Sequence, residues 1–285
     1  MNQPQGIYDA RQLGRPKMFV LGAQHMFAMF GATVLVPALT GMSVSATLLF
    51  AGLGTLLFHF LTKWKVPAFL GSSFAFIGGY QAIAPNKEPE LLVYACVGVA
   101  AAGLMYVVLS TLFKAFGVKK VMRFFPPIVT GPIIIAIGLT LSSTAITNCR
   151  SNWAIALVAI AIVVVCNIWG KGMVKIIPIL LGVVGSYGVA AVCQAAGMEV
   201  MDPAKVQALL DAPWIGLPFR FEDTLFGLFS RPNVDSGMLL TSAVTIMPLA
   251  LATMVEHIGG ICAISSTCER NYIQDPGLHR TLLGD

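Results

Sequence analysis

The stretch VPAFLGSSFAFIGGYQAIAP, residues 66–85, is apolar enough to cross a membrane but poorly suited to a continuous helix. It combines Pro67 with three glycines and the neighbouring serines Ser72 and Ser73. Irregular backbone at membrane depth is stable only where protein or water satisfies its amide and carbonyl groups, and transporters use such breaks to face their substrates. The pattern therefore predicts an interrupted span in which GSSF is a binding element. The alternative is that glycine and serine merely permit close packing of helices.

The composition of the whole chain places this stretch in a membrane protein. Of the 285 residues, 56% are hydrophobic and 11% are charged, whereas soluble domains carry about 25% charged residues. The mean hydropathy is +0.80. The six cysteines are scattered without metal-ligand spacing, so we predict neither a metal site nor a disulfide framework.

Apolar segments long enough to cross about 30 Å of hydrocarbon recur along the chain. We predict eight spans, at residues 18–39, 44–61, 67–84, 91–113, 128–146, 153–169, 176–196 and 239–264. The first span is expected to remain in the mature protein, because no cleavage site follows it. A polar connection, residues 197–238, separates the seventh and eighth spans.

The basic residues are distributed unevenly between the two sides of these spans. With a cytoplasmic N-terminus, thirteen of the 18 lysines and arginines fall inside and five fall outside. This is the bias of the positive-inside rule. We therefore expect a cytoplasmic N-terminus and an extracellular 197–238 connection, and the net charge of +5 then needs no nucleic-acid partner.

The motif MVEHIGG, residues 254–260, places Glu256 inside the eighth span. An ionised carboxylate near the bilayer centre costs about 2.5–3.5 kcal/mol on insertion scales, so such residues are usually functional. A carboxyl group that exchanges a proton and hydrogen-bonds a polar ligand meets the needs of a proton-coupled binding site. The alternative is that Glu256 pairs with another helix or lies in water.

We also make a prediction for each of two residues near Glu256 in the sequence. His257 points about 100° away from Glu256 on a helix, so we interpret it as structural. Pro248 predicts a kink one to two turns earlier.

Six motifs in this sequence resemble the nucleobase/ascorbate transporter family, and within it the bacterial uracil permeases. They are QHMFAMFGATVLVP (24–37), KVPAFLGSSFAFI (65–77), FFPPIVTGPIIIAIGL (124–139), IIPILLGVVGSYG (176–188), EHIGG (256–260) and DPGLHR (275–280). They occur in the family's order along nearly the whole chain.

The resemblance implies an all-α polytopic membrane protein with fourteen spans in two inverted repeats of seven. The third span would be broken by a short extended segment, and a substrate-binding core would move against a gate. Residues 1–196 would form the first repeat, 197–238 the extracellular loop, and 239–285 the eighth span and the start of the second repeat.

The resemblance also implies roles for particular residues. Glu256 would hydrogen-bond the nucleobase edge, and Phe74, Ser73 and Ala32 would complete the substrate site. Glu256 would carry the proton, and His25 is a further candidate for proton coupling. The family uses no cofactor and no covalent catalysis, and a homodimer is implied.

This sequence departs from the family pattern in two places. Uracil permeases commonly carry a polar residue, often histidine, four positions after the glutamate, where this chain has Gly260. The chain also ends at Asp285, before the expected tenth span and its second glutamate. We therefore expect a C-terminally truncated portion that does not transport alone.

The resulting hypothesis is proton-coupled uptake of uracil across the cytoplasmic membrane by alternating access. The expected partners are a nucleobase, a proton and the lipid bilayer. Alternatives are a purine or xanthine permease of the same family and a membrane fragment that does not transport. An enzyme is not expected.

Overall fold

The computed structural model describes residues 10–121, 123, 127–213, 216–230 and 233–285, and regular structure within these ranges is entirely helical. The α-helices are α1 Arg15–Thr40, α2 Val44–Leu61, α3 Ile77–Ile83, α4 Pro89–Phe116, α5 Val118–Val121, α6 Pro127–Cys149, α7 Trp153–Trp169, α8 Met173–Ile176, α9 Pro178–Ala195, α10 Pro203–Leu210, α11 Ser236–Ile246, α12 Leu249–Thr267 and α13 Leu278–Gly284. Short 3₁₀ segments occur at Ala10–Leu13, Phe74–Phe76, Phe221–Asp223 and Leu225–Ser230, and a π turn occurs at Ile273–Gly277.

Among the described residues, five helical segments are long and apolar enough to cross a membrane. They are Val44–Leu61, Pro89–Phe116, Gly131–Cys149, Pro178–Ala195 and Ser236–Thr267. Two shorter apolar helical segments, Phe74–Ile83 and Trp153–Trp169, correspond to the predicted third and sixth spans. The all-helical, polytopic fold class is thus confirmed.

Both interruptions predicted in the spans are present. Residues 65–73 contain no helix, and the chain then continues through the Phe74–Phe76 turn into α3. In the eighth span, α11 ends at Ile246 and α12 begins at Leu249. Pro248 precedes α12 directly, and because its ring nitrogen has no hydrogen to donate, a continuous helix would lose a backbone hydrogen bond there.

The chain divides into two compact units. The first unit contains Met1–Gly31 and Thr140–Gly216, and the second contains Ala32–Leu139 and Leu217–Asp285. In the first unit α7 packs against α9. A Cβ atom at Gly182 would lie 2.5 Å from the Val163 side chain, so glycine allows these two helices to approach closely.

Helix α4 is central to the second unit and packs against α3, α11, α12 and α13. At its contact with α11, a Cβ at Gly98 would lie 2.6 Å from the Ser242 carbonyl oxygen. Helix α13 is also in contact with α2, and its residues Leu278 and Leu282 are fully buried. The second unit therefore holds α2, α3, α4 and both halves of the eighth span around one core.

Polar contacts fasten the segment after α12 to this core. Lys65 and Asp275 form an ion pair with a shortest nitrogen–oxygen distance of 2.5 Å. Arg280 donates to the Leu61 carbonyl over 3.3 Å. The DPGLHR motif thus bridges the end of α2 and the start of the non-helical segment 65–73.

Candidate functional site

The non-helical segment 65–73 is held by a side chain of α2. The Thr55 hydroxyl oxygen accepts a hydrogen bond from the Leu70 amide over 3.1 Å. Its one hydrogen has two possible acceptors, the Ala51 carbonyl at 2.8 Å and the Leu70 carbonyl at 3.1 Å. Backbone groups that are not paired within a helix need such partners in a low-dielectric setting. Thr55 therefore provides the Leu70 backbone with a hydrogen-bond partner that a continuous helix would otherwise provide.

Glycine relieves a tight contact where this segment passes the second half of α1. A Cβ at Gly71 would lie 3.2 Å from the Thr33 hydroxyl oxygen and 3.0 Å from the Phe69 ring. Thr33 is itself buried, with 2% of its surface exposed. The segment therefore reaches the Ser72–Ser73 pair along a path that a larger residue at position 71 would obstruct.

Ser73 starts the short helical part of the third span. Its backbone is extended, and its hydroxyl oxygen accepts a hydrogen bond from the Ala75 amide over 3.3 Å. Phe74 follows as the first residue of the Phe74–Phe76 turn and is half-buried. This turn is in contact with α12.

Glu256 lies on α12 opposite this turn. The Ser73 hydroxyl donates to the Oε2 atom of Glu256 over 3.4 Å. Glu256 itself is exposed, and Gly260, one turn later on the same helix, is exposed too. A Cβ at Gly260 would meet no atom within 4 Å among the residues described. The carboxylate therefore faces an open space beside the break in the third span.

His257 contacts a different group. Its Nδ1 atom lies 2.9 Å from Oδ2 of Asp285, and the side chain is only 6% exposed. Its Nε2 atom is buried and has no hydrogen-bond partner within the described ranges. The Phe58 ring lies edge-on to the imidazole, with a centroid distance of 6.4 Å. His257 thus ties α12 to the end of α13, in agreement with the structural role inferred from its helical angle.

No pattern in the sequence indicates Asp285 as a partner of His257. The two residues are distant in sequence, and their meeting depends on the course of the chain after α12. Tyr106 of α4 is buried near Asp285 and Thr253. These groups form a polar cluster near Glu256.

Less can be described of the other two predicted site residues, His25 and Ala32. His25 lies in the first half of α1, in the first compact unit, and its side chain is exposed. Ala32 lies on the α1 backbone, but its side-chain surroundings fall outside the residues described. The structure thus brings Ser73, Phe74 and Glu256 together, and the roles of all five residues remain predictions.

The chemistry of the assembled groups suits reversible binding of a polar, planar molecule. A carboxyl group, a hydroxyl group and a half-buried aromatic ring lie within one small region. Within the described ranges, no cluster of three or more histidine, cysteine, aspartate or glutamate side chains could hold a metal ion.

Comparisons with known proteins place the chain among similar sequences. The family model described as Permease family matches residues 16–285. The chain is 39% identical to a uracil permease of Bacillus caldolyticus, with all of this chain and 64% of the relative covered. It is 33% identical to a uracil permease of Escherichia coli K12, with 93% of this chain and 58% of the relative covered.

A third relative is named for a broader class of substrate. The chain is 33% identical to the putative pyrimidine permease RutG of Escherichia coli K12, covering 93% of this chain and 58% of the relative. The chain thus spans about 60% of the length of the curated relatives that it matches.

Proposed function

The chain belongs to the Permease family, and on that premise we propose that it serves the proton-coupled uptake of uracil across the cytoplasmic membrane. The relatives are named permeases rather than enzymes, and two of those described above are named for uracil. The observation that carries the proposal is the meeting of Ser73 and Glu256 beside the break in the third span.

The proposed site binds the edge of the uracil ring. A protonated Glu256 can donate its O–H to a uracil carbonyl while its other oxygen accepts a uracil N–H. The Ser73 hydroxyl orients the carboxyl group, and Phe74 packs on the ring face. Ala32 of the first span belongs to the proposal as a further substrate contact, which the family resemblance implies.

In this proposal, the coupling of uracil to a proton follows from the protonation state of Glu256. Import of uracil together with a proton requires that the protonated carboxyl group, rather than the carboxylate, holds the substrate. Loss of the proton removes one hydrogen-bond donor and leaves a charge whose desolvation is unfavourable beside a bound ring. Release of the proton and release of uracil are therefore linked, and His25 is a second candidate for the proton pathway.

We assign the second compact unit as the substrate-binding part, since it contains α2, α3, α4 and α12 with Ser73 and Glu256. We assign the first unit, which contains α7 and α9, to the gate of an alternating-access transporter. The repeat boundaries at 1–196, 197–238 and 239–285 belong to the same proposal, as does a homodimer.

The proposal is tested by binding and uptake of radiolabelled uracil. The purified 285-residue chain in lipid nanodiscs should bind uracil, and excess xanthine should not displace it. Because the 285-residue chain is not expected to transport alone, uptake is measured with the full-length gene in cells that lack their own uracil permease, with and without a protonophore. Binding of xanthine in preference to uracil would assign the chain to purines instead. No binding of either base would support a fragment that does not transport.

A further inference from the structure

A separate cavity of about 330 Å³ lies beside the Ser73–Glu256 site. Its walls come from the start of α2, the segment Gly71–Ser72, Cys96 of α4 and the 3₁₀ region around Thr224. Ser72 faces this cavity, whereas the hydroxyl of the next residue, Ser73, is directed at Glu256. Two adjacent residues, Ser72 and Ser73, therefore face two neighbouring spaces, the cavity and the Ser73–Glu256 site.

Aromatic rings from two different elements line this cavity. Phe50 projects from α2 and is 43% exposed, and Phe226 projects from the Leu225–Ser230 segment and is 51% exposed. Phe50 is supported by an edge-on contact with Phe219, with ring centroids 5.9 Å apart. Exposed aromatic faces of this kind favour stacking on a flat ring.

The hydroxyl groups that line the cavity have defined donor and acceptor roles. The Thr47 hydroxyl donates its hydrogen to the Ser43 carbonyl over 2.8 Å, and the Thr224 hydroxyl donates to the Phe221 carbonyl over 2.8 Å. Because their hydrogens are engaged, both oxygens can only accept from a ligand. Ser72 can donate as well as accept. The cavity therefore suits a ring that carries N–H groups and a carbonyl.

We propose that this cavity is a second binding site for a nucleobase, in which uracil is held before it passes to Glu256. The inference rests on the proposed function. The volume lies at the lower end of the range for small-molecule pockets, about 300–1,000 Å³, which matches a small ring. Residues 221–226 belong to the 197–238 connection, so the site lies on the side that the basic-residue bias assigns as extracellular.

A lipid acyl chain is the competing occupant, and the wall chemistry argues against it. A hydrocarbon chain would offer no donor to the Thr47 and Thr224 oxygens, whose hydrogens are already bonded to backbone carbonyls, and it would offer no partner of either kind to the Ser72 hydroxyl. Burying a hydroxyl group in apolar surroundings without a hydrogen-bond partner is unfavourable. A nucleobase satisfies them and also stacks on Phe50.

The test uses a cysteine reporter in the cavity wall. Ala51→Cys places a thiol in the wall, and Leu53→Cys places one elsewhere on α2, where residue 53 is 51% exposed. Alkylation by N-ethylmaleimide is followed by peptide mass spectrometry in nanodiscs, so the native cysteines need not be removed. Saturating uracil should slow alkylation at position 51 at least threefold and leave position 53 unchanged.

Two further variants separate the cavity from the deep site. In Glu256→Ala combined with Ala51→Cys, protection should persist, because the cavity does not include Glu256. Thr47→Leu should abolish protection by filling the cavity and removing an acceptor. Thr111→Leu is its matched control, because the Thr111 hydroxyl makes the same 2.8 Å backbone hydrogen bond on α4 away from the cavity.

The outcomes distinguish this inference from the proposed function. Uracil binding without protection at position 51 would overturn the second site alone. Protection that vanishes in Glu256→Ala would show that the effect is transmitted from the deep site, and a thiol unreactive with or without uracil would show a lipid-filled cavity. Either result overturns the inference. Absence of both binding and protection would reject the uracil proposal itself.

Discussion

The Ser73 hydroxyl and the Glu256 carboxylate meet at 3.4 Å although 183 residues separate them in the chain. Ser73 lies where a broken span resumes its helical course, and Glu256 lies on the longer half of a kinked span. The hydrogen bond therefore joins the two interrupted spans, the third and the eighth, at one point.

Ser73→Ala should weaken uracil binding about 2- to 12-fold, which corresponds to the usual 0.5–1.5 kcal/mol of one hydrogen bond. The affinity is measured by equilibrium dialysis of the chain in nanodiscs. Ser73→Thr is the matched control, because it keeps the hydroxyl group that contacts Glu256 and should bind within about twofold of the unsubstituted chain. Equal losses in both variants would show that packing, rather than the hydroxyl, matters at this position.

Gly98→Ala should lower the stability of the second compact unit. The new Cβ would lie 2.6 Å from the Ser242 carbonyl oxygen and 2.8 Å from the Ile246 side chain, so α4 and α11 must move apart. Overpacking of this kind costs about 1–3 kcal/mol. Thermal unfolding in detergent, followed by loss of the monodisperse peak, measures the change.

The control for this prediction lies on the same helix. Gly103→Ala meets no atom within 4 Å in the described residues, so only helix propensity changes. Replacing glycine by alanine in a helix interior adds about 0.5–1 kcal/mol of stability. A destabilisation of similar size at both positions would contradict the packing described for α4 and α11.

Gly260→His should be tolerated and should add a titrating group to the substrate site. Position 260 is open, and residues four apart share a helical face, so the imidazole would lie near Glu256. Because histidine changes charge between pH 5 and 8, the dependence of uracil affinity on pH should gain a second step there. Gly260→Gln is the control with a polar but non-titrating side chain. Identical pH profiles for the two variants would refute this prediction.

The orientation inferred from the basic residues is tested with a pair of lysine-to-cysteine variants. Lys205 of α10 and Lys120 of α5 are both exposed. A membrane-impermeant maleimide should label Lys205→Cys in intact cells and Lys120→Cys only after permeabilisation, with peptide mass spectrometry to exclude the native cysteines. The reverse pattern would place the N-terminus outside.

The spans were predictable because a single physical signal controls them. Hydrocarbon thickness fixes the length of an apolar helix, so the predicted ranges 44–61 and 153–169 coincide with α2 and α7. Pro67 with three glycines indicated the broken span, and Pro248 indicated the kink between α11 and α12. These are local backbone effects, which a sequence displays directly.

The tertiary contacts were not predictable in the same way. Leu278 and Leu282 form only a short apolar pattern in the sequence, yet they are fully buried between α2 and α4. The pairing of His257 with Asp285 depends on that burial, because it places the end of α13 beneath α12. The exposure of Glu256 within this chain was likewise not predictable from its position inside an apolar span.

The central claim is that Glu256 binds uracil in its protonated form. The direct measurement is the affinity of the chain for uracil between pH 5 and pH 8, compared with Glu256→Gln and Glu256→Ala. We expect the unsubstituted chain to bind more weakly as the pH rises. Glu256→Gln, whose amide mimics a protonated carboxyl group, should bind without pH dependence, and Glu256→Ala should lose about tenfold or more at low pH. A Glu256→Gln variant whose affinity still follows the pH as the unsubstituted chain does would contradict the account.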